Sequence, residues 1–365
     1  MFEKSINTPV FSHRFSLELR QHMSWKKQSV IISLAFSIGI MLSALILIVS
    51  GVPASELLNE FVIFTLFNTD SLKSVLFQAS PLIMVGLAGS LAFRAKFWNL
   101  GLEGQMIFGA IAATAITIFN VGPESIRIFT MMVAGMLGGL FWATMPVLLK
   151  LKWKVNEIVS TLMMNYIAIN FLLYLLYGVW KDPKSSFPYS SQYESFERLP
   201  DIVNGISLSI PIAIIISLAV FWYAVIARSS LYLRFVDKSP TVAVATGIPV
   251  LKTILVTVLI SGALAGLAGV MISAGQESRL THSFYSGYGF SGILIAFLAR
   301  NNPIATILTA LLIALLFVVG QSLQVFYQIP FDMVQLIQAI LVICIASSDF
   351  FIRYRVRCIP YGAKQ

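Results

Sequence analysis

Ten apolar runs separated by polar intervals organise the sequence, at 29–50, 74–93, 101–120, 127–148, 157–180, 209–227, 252–273, 287–299, 303–321 and 333–351. A helix crosses a bilayer with about 20 apolar residues. The pattern therefore predicts an all-α, polytopic membrane protein of about ten transmembrane helices. The first run, Ser29 to Ser50, is too long for a signal-peptide core and carries no small-residue cleavage site, so it is expected to stay as a first span. The intervals divide the chain into an N-terminal segment over 1–28, a transmembrane domain over 29–352 and a basic tail over 353–365. One long external loop is expected at 181–208 and the longest cytoplasmic connector at 229–250.

Composition strengthens this picture. Of 365 residues, 58% are hydrophobic and 11% charged, whereas soluble domains carry roughly 25% charged residues, which excludes a large soluble catalytic domain. The formal charge of +9 takes its meaning from where the basic residues fall. With both termini in the cytoplasm, only Lys73, Arg127, Lys181, Lys184, Arg198 and Arg279 are external, leaving 19 of the 25 Lys and Arg inside. That asymmetry obeys the positive-inside rule and assigns the high charge to anionic inner-leaflet lipid rather than to nucleic acid.

An ionisable group inside a span costs a few kcal/mol and needs a partner, a cavity or an interface. Two carboxylates qualify, Glu103 in Trp98-Asn99-Leu100-Gly101-Leu102-Glu103-Gly104-Gln105 and Glu157 after Asn156. Glu157, Thr161, Asn165 and Ala168 recur at helical spacing and share one face. Such a stripe either bonds neighbouring helices or lines a translocation path. Glu103 equally suits the positive end of a helix. Gly135 and Gly139, and Gly262, Gly266 and Gly269, mark close helix packing. No phosphate-binding Gly-rich loop, His-Glu-x-x-His motif or Gly-x-Ser-x-Gly elbow is present. The three histidines are scattered, as are Cys344 and Cys358, so neither a metal site nor a disulfide framework is expected.

Three stretches carry a family resemblance: Phe97 to Met106, Asn156 to Ile167, and Gly287-Tyr288-Gly289-Phe290 followed by Ala299-Arg300-Asn301-Asn302-Pro303. In that order, across about 75–350, they resemble the permease subunits of bacterial ABC importers for nucleosides and simple sugars. These subunits belong to the ribose and branched-chain amino acid permease family. Two positions depart from the family pattern: Ser291 stands where Asp is common and Val244 where Arg is frequent.

The resemblance implies a subunit of about ten helices that is not itself an enzyme and binds no cofactor. It would pair with a second permease subunit, take its drive from ATP and Mg on a cytoplasmic ATPase, and receive solute from an external lipoprotein at the bacterial cytoplasmic (inner) membrane. The expected solute path comprises Trp98, Asn99, Glu103, Gln105, Glu157, Thr161, Asn165, Tyr166 and Asn170, polar groups for ribose or sugar with aromatic walls for a base. In the 229–250 connector, Pro240 suits a first helical turn and Gly247 a left-handed C-terminal cap. A short helix is expected there, and the resemblance places the ATPase contact on it, with Arg234, Pro240, Ala243, Ala245 and Gly247. The competing expectation is an autonomous ion-coupled secondary transporter using Glu103 and Glu157.

Overall fold

The computed structural model describes residues 13–20, 23–55, 68–203, 205–285 and 287–360. Parts of the expected N-terminal segment (1–12 and 21–22) and of the basic tail (361–365) lie outside the described residues. In chain order the elements begin with β1 (His13–Leu19), α1 (Trp25–Val49), α2 (Thr69–Arg94), α3 (Leu102–Ile118), α4 (Arg127–Trp153) and α5 (Glu157–Tyr177). They continue with β2 (Asp201–Val203), β3 (Ile206–Ser207), α6 (Ser209–Phe221), α7 (Arg228–Lys238), α8 (Pro240–Ala245) and α9 (Val250–Val270). The last four are α10 (Tyr288–Leu298), α11 (Pro303–Tyr327), α12 (Phe331–Arg353) and β4 (Tyr354–Pro360).

Two units result. One comprises Met1–Leu57 and Ile329–Gln365, the other Leu58–Gln328. In the first, α1 packs on α12, and β1 pairs antiparallel with β4 from His13 opposite Pro360 to Leu19 opposite Tyr354. The pairing brings the start of α1 and the end of α12 to the same end of that unit. The chain is mostly helical, but β1 with β4 and β2 with β3 form two small two-stranded sheets that the apolar pattern does not announce.

Among the described residues eight helices are long and apolar enough to cross a membrane, and α3 and α10 are shorter apolar helices. Every expected run thus becomes a helix, though not every one is long enough to span. The 11 residues of α10 rise about 16 Å, half the thickness of a hydrocarbon core. Several starts follow from capping chemistry. Asn68, Asn156 and Asn302 each accept a hydrogen bond from the backbone N–H two residues on, at 2.9, 2.9 and 3.0 Å.

The core of the second unit is the crossing of α3, α4 and α9, where glycines replace side chains. A Cβ on Gly109 would run into the backbone of Gly266, and one on Gly139 into the backbone of Gly262 and Gly266. Backbones meet here because lipid supplies no hydrophobic drive between helices, so close packing has to hold them together.

Candidate translocation site

The interval 95–101 between α2 and α3 is held by side chains that reach its backbone. Asn99 is fully buried and exchanges two hydrogen bonds with Gln105, its Nδ2 donating to Oε1 and its Oδ1 accepting from Nε2, both at 3.0 Å. Asn99 Nδ2 also donates to Ser261 Oγ of α9 at 3.3 Å, and Ser261 donates to the Ala88 carbonyl of α2 at 2.7 Å. From α5, Asn165 Oδ1 accepts from the Gly104 N–H and Nδ2 donates to the Leu100 carbonyl, both at 2.8 Å. Thr161 Oγ1 accepts from the Leu100 N–H at 3.3 Å and donates to the Glu157 carbonyl at 2.6 Å.

The two carboxylates have distinct surroundings. Glu157 pairs with Lys150 at 2.6 Å, and Lys150 also reaches the Lys96 carbonyl at 2.8 Å. Glu103 is buried and accepts from the Gly287 N–H at 3.2 Å and the Phe290 N–H at 3.3 Å, so it caps the start of α10 from α3. Gly289 permits this approach, because a Cβ there would strike the backbone of Glu103. Ser291, in the position of the family's Asp, is buried just beyond. Both carboxylates are thus engaged by fixed partners.

The remaining expected path residues sit elsewhere. Tyr166 is 62% exposed, and Asn170 is exposed with its Nδ2 bonded to the Tyr166 carbonyl at 2.8 Å. They occupy the face of α5 opposite the stripe. Trp98 is 45% exposed and joins an aromatic group with Phe93 and Phe297, at centroid distances of 5.5 and 5.6 Å.

In the 229–250 connector, α8 starts at Pro240 with Ser239 as its N-cap, accepting from the Val242 N–H at 3.4 Å, and Gly247 follows with φ +79°. Arg234 donates to the Val225 carbonyl at 3.2 Å. The two alanines expected at the ATPase contact are turned different ways. Ala243 is fully buried in an apolar cluster with Ala92, Phe97, Val147 and Val236, whereas Val242, Val244 and Ala245 are exposed. Inward Ala243 therefore joins α8 to the 95–101 interval through Phe97, and Lys96 adds a 3.3 Å ion pair to Asp237 of α7.

A second polar group, absent from the sequence expectations, lies where backbone geometry is irregular. Tyr288 at the start of α10 donates to Gln276 Oε1 at 2.9 Å, and Gln276 Nε2 donates to Gln78 Oε1 of α2 at 3.1 Å. Gln78 is 6% exposed, and its Nε2 has no hydrogen-bond partner within 3.5 Å, the Tyr288 hydroxyl standing beside it as a weak acceptor. Gln276 belongs to the π-helical segment Met271–Glu277, and Gln78 stands just before Pro81 in α2. Proline cannot donate to the carbonyl four residues back, and Ser80 Oγ bonds the Phe77 carbonyl instead, at 2.9 Å. A signal for this group does exist, since Gln78 interrupts the 74–93 run and Gln276 comes three residues after the end of the 252–273 run. Uncharged carboxamides cost little enough that apolar runs absorb them, which hides them from a search for ionisable residues.

The 181–208 loop, expected on the external side, is stitched to the helices. The Tyr193 N–H donates to the Ser278 carbonyl at 2.9 Å and the Leu199 N–H to the Ala274 carbonyl at 3.0 Å. The Tyr193 hydroxyl lies 2.6 Å from Thr114 Oγ1, and burial pushes its phenol up to about 12. Buried Arg127 and Glu197 approach to 3.8 Å.

Residues 71–346 match the family described as branched-chain amino acid transport system / permease component. The chain is 34% identical over 305 residues to the glucose ABC transporter permease protein TsgB13 of Haloferax volcanii, covering 80% of each. It is 30% identical to the guanosine ABC transporter permease protein NupP of Bacillus subtilis, over 86% of this chain and 92% of that one. NupQ, a second guanosine ABC transporter permease protein of the same organism, is 26% identical over 70% of this chain and 84% of its own length.

Proposed function

Because this chain belongs to the permease-component family of the branched-chain amino acid transport system, we propose that it forms the membrane path of an ABC importer for a nucleoside or a related neutral polar solute. It is a multi-pass membrane protein and a transport subunit rather than an enzyme. The observation that carries the solute reading is its likeness, over most of its length, to permeases named for guanosine and for glucose.

Two guanosine ABC transporter permease proteins of Bacillus subtilis both resemble this chain, which supports a second, related permease subunit as partner. ATP hydrolysis falls to a cytoplasmic ATPase, and solute delivery to an extracytoplasmic binding lipoprotein, at the cytoplasmic membrane. The pairing of β1 with β4 supports both termini lying on one side, and the basic residues favour the cytoplasm. The exposed face of α8, Val242, Val244 and Ala245 between Pro240 and Gly247, is the contact for the ATPase, and Arg234 steadies α7 beside it. Closure of the ATPase would pass through Ala243 and Phe97 to the 95–101 interval and, through Glu103, to the start of α10. In this arrangement Asn99, Gln105, Thr161 and Asn165 hold the moving interval together, and Trp98 with Phe297 presents an aromatic wall to the path.

The test is uptake of labelled nucleoside and sugar panels by cells carrying the whole transporter, with and without this chain. Loss of nucleoside uptake alone is expected. Loss of sugar uptake alone would overturn the solute reading.

A further inference from the structure

Three side chains from three irregular backbone sites converge in the second unit: Gln78 before Pro81 in α2, Gln276 in the π-helical segment Met271–Glu277, and Tyr288 at the first turn of α10. Interrupted helices of this kind recur at the ligand sites of membrane transporters, where irregular backbone is buried in protein or lines a cavity. We propose that Gln78, Gln276 and Tyr288 form a subsite that reads the carbonyl-bearing edge of a neutral nucleoside's base.

The hydrogen-bond inventory argues for that chemistry. Tyr288 uses its O–H on Gln276, and Gln276 uses one N–H on Gln78. A carboxamide carries two N–H donors, so Gln78 keeps both and Gln276 keeps one. Gln78 Nε2 is buried with no partner, a costly arrangement inside a membrane protein unless something completes it. The unmatched atom is therefore a donor, with spare lone pairs on Gln78 Oε1, Gln276 Oε1 and the Tyr288 oxygen beside it. A base carbonyl next to a ring N–H meets that donor and one of those lone pairs together, in one rigid plane.

Gln78 Oε1 also holds a second lone pair beside its free N–H groups, the donor and acceptor pairing by which glutamine reads a base edge. All three side chains are neutral, which leaves a charged solute unmatched. Gln276 is partly exposed, so the group is reached from its own end, and Tyr288 and Phe317, with centroids 5.4 Å apart, supply an aromatic flank.

This subsite rests on the nucleoside reading, and the experiment separates the two. In cells carrying the whole transporter, uptake KM is measured for guanosine and for 2-aminopurine riboside, which lacks the 6-carbonyl, in wild type, Gln78→Met and Tyr288→Phe. Gln78→Met is expected to reach the membrane at the wild-type level and raise the guanosine KM about tenfold. The preference for guanosine over the analogue should fall toward one. Tyr288→Phe should move both values the same way by about threefold, and it decides the matter if Gln78→Met fails to reach the membrane.

Unchanged KM and unchanged preference in variants that do reach the membrane would overturn the subsite. So would a loss of uptake in proportion to protein level with the preference intact. Absence of nucleoside uptake by the wild type would overturn the functional reading itself.

Discussion

Around Asn99 and Asn165, buried polar side chains are matched by protein: Asn99 with Gln105, Asn165 with the backbone of Gly104 and Leu100. Around Gln78 the matching stops one group short, leaving Nε2 without a partner. The two regions lie in the same unit and have similar composition, yet they differ in what a ligand could add. A satisfied network fixes a conformation, and a network with a spare buried donor gains most when something arrives to accept from it. Polarity in a span therefore does not mark a path by itself. The state of its hydrogen bonds discriminates.

The strongest way to break this contrast is Asn165→Leu. It strands the Gly104 N–H and the Leu100 carbonyl, each costing about 1–3 kcal/mol when buried and unmatched. Thermal denaturation of the detergent-purified protein should show a large fall in midpoint, with the solute KM of surviving transporters unchanged.

Next comes Gly289→Ala, whose Cβ would press on the Glu103 backbone and push α10 off its carboxylate cap. Overpacking of this kind costs about 1–3 kcal/mol, and a lowered melting midpoint with reduced uptake is the expected result. Glu157→Gln weakens the Lys150 pair at the start of α5, where both side chains retain some exposure. Its cost should be roughly 1 kcal/mol, read as a small midpoint shift that high salt reduces.

The smallest effect on stability belongs to Gln78→Met. It removes a buried amide whose nitrogen is unmatched but whose Oε1 accepts from Gln276, so a gain and a loss of about 1 kcal/mol each offset and the midpoint should hold.

The helices were legible in the sequence because lipid admits little but apolar side chains over a span, whereas Asn68, Asn156 and Asn302 set the exact starts of three of them. Glu103, Glu157 and the Thr161–Asn165 stripe stood out because ionisable and polar groups inside such runs are costly. Their partners did not, since each comes from a distant part of the chain: Gly287 for Glu103, Leu100 for Asn165. The short α10 counts among the expected spans because the 287–299 run is apolar, and hydropathy alone gives no measure of where the backbone breaks. The pairing of β1 with β4 joins the two ends of the sequence and carries no local turn signal. At α8, Pro240 and Gly247 announced the helix, but which alanine faces inward depends on the cluster around Phe97.

The most direct test sets Asn165→Leu and Gln78→Met side by side in the whole transporter, measuring melting midpoint and guanosine KM for each. The account predicts a lowered midpoint with unchanged KM for Asn165→Leu, and an unchanged midpoint with raised KM for Gln78→Met. The reverse assignment, or equal shifts of both quantities in both variants, would contradict it.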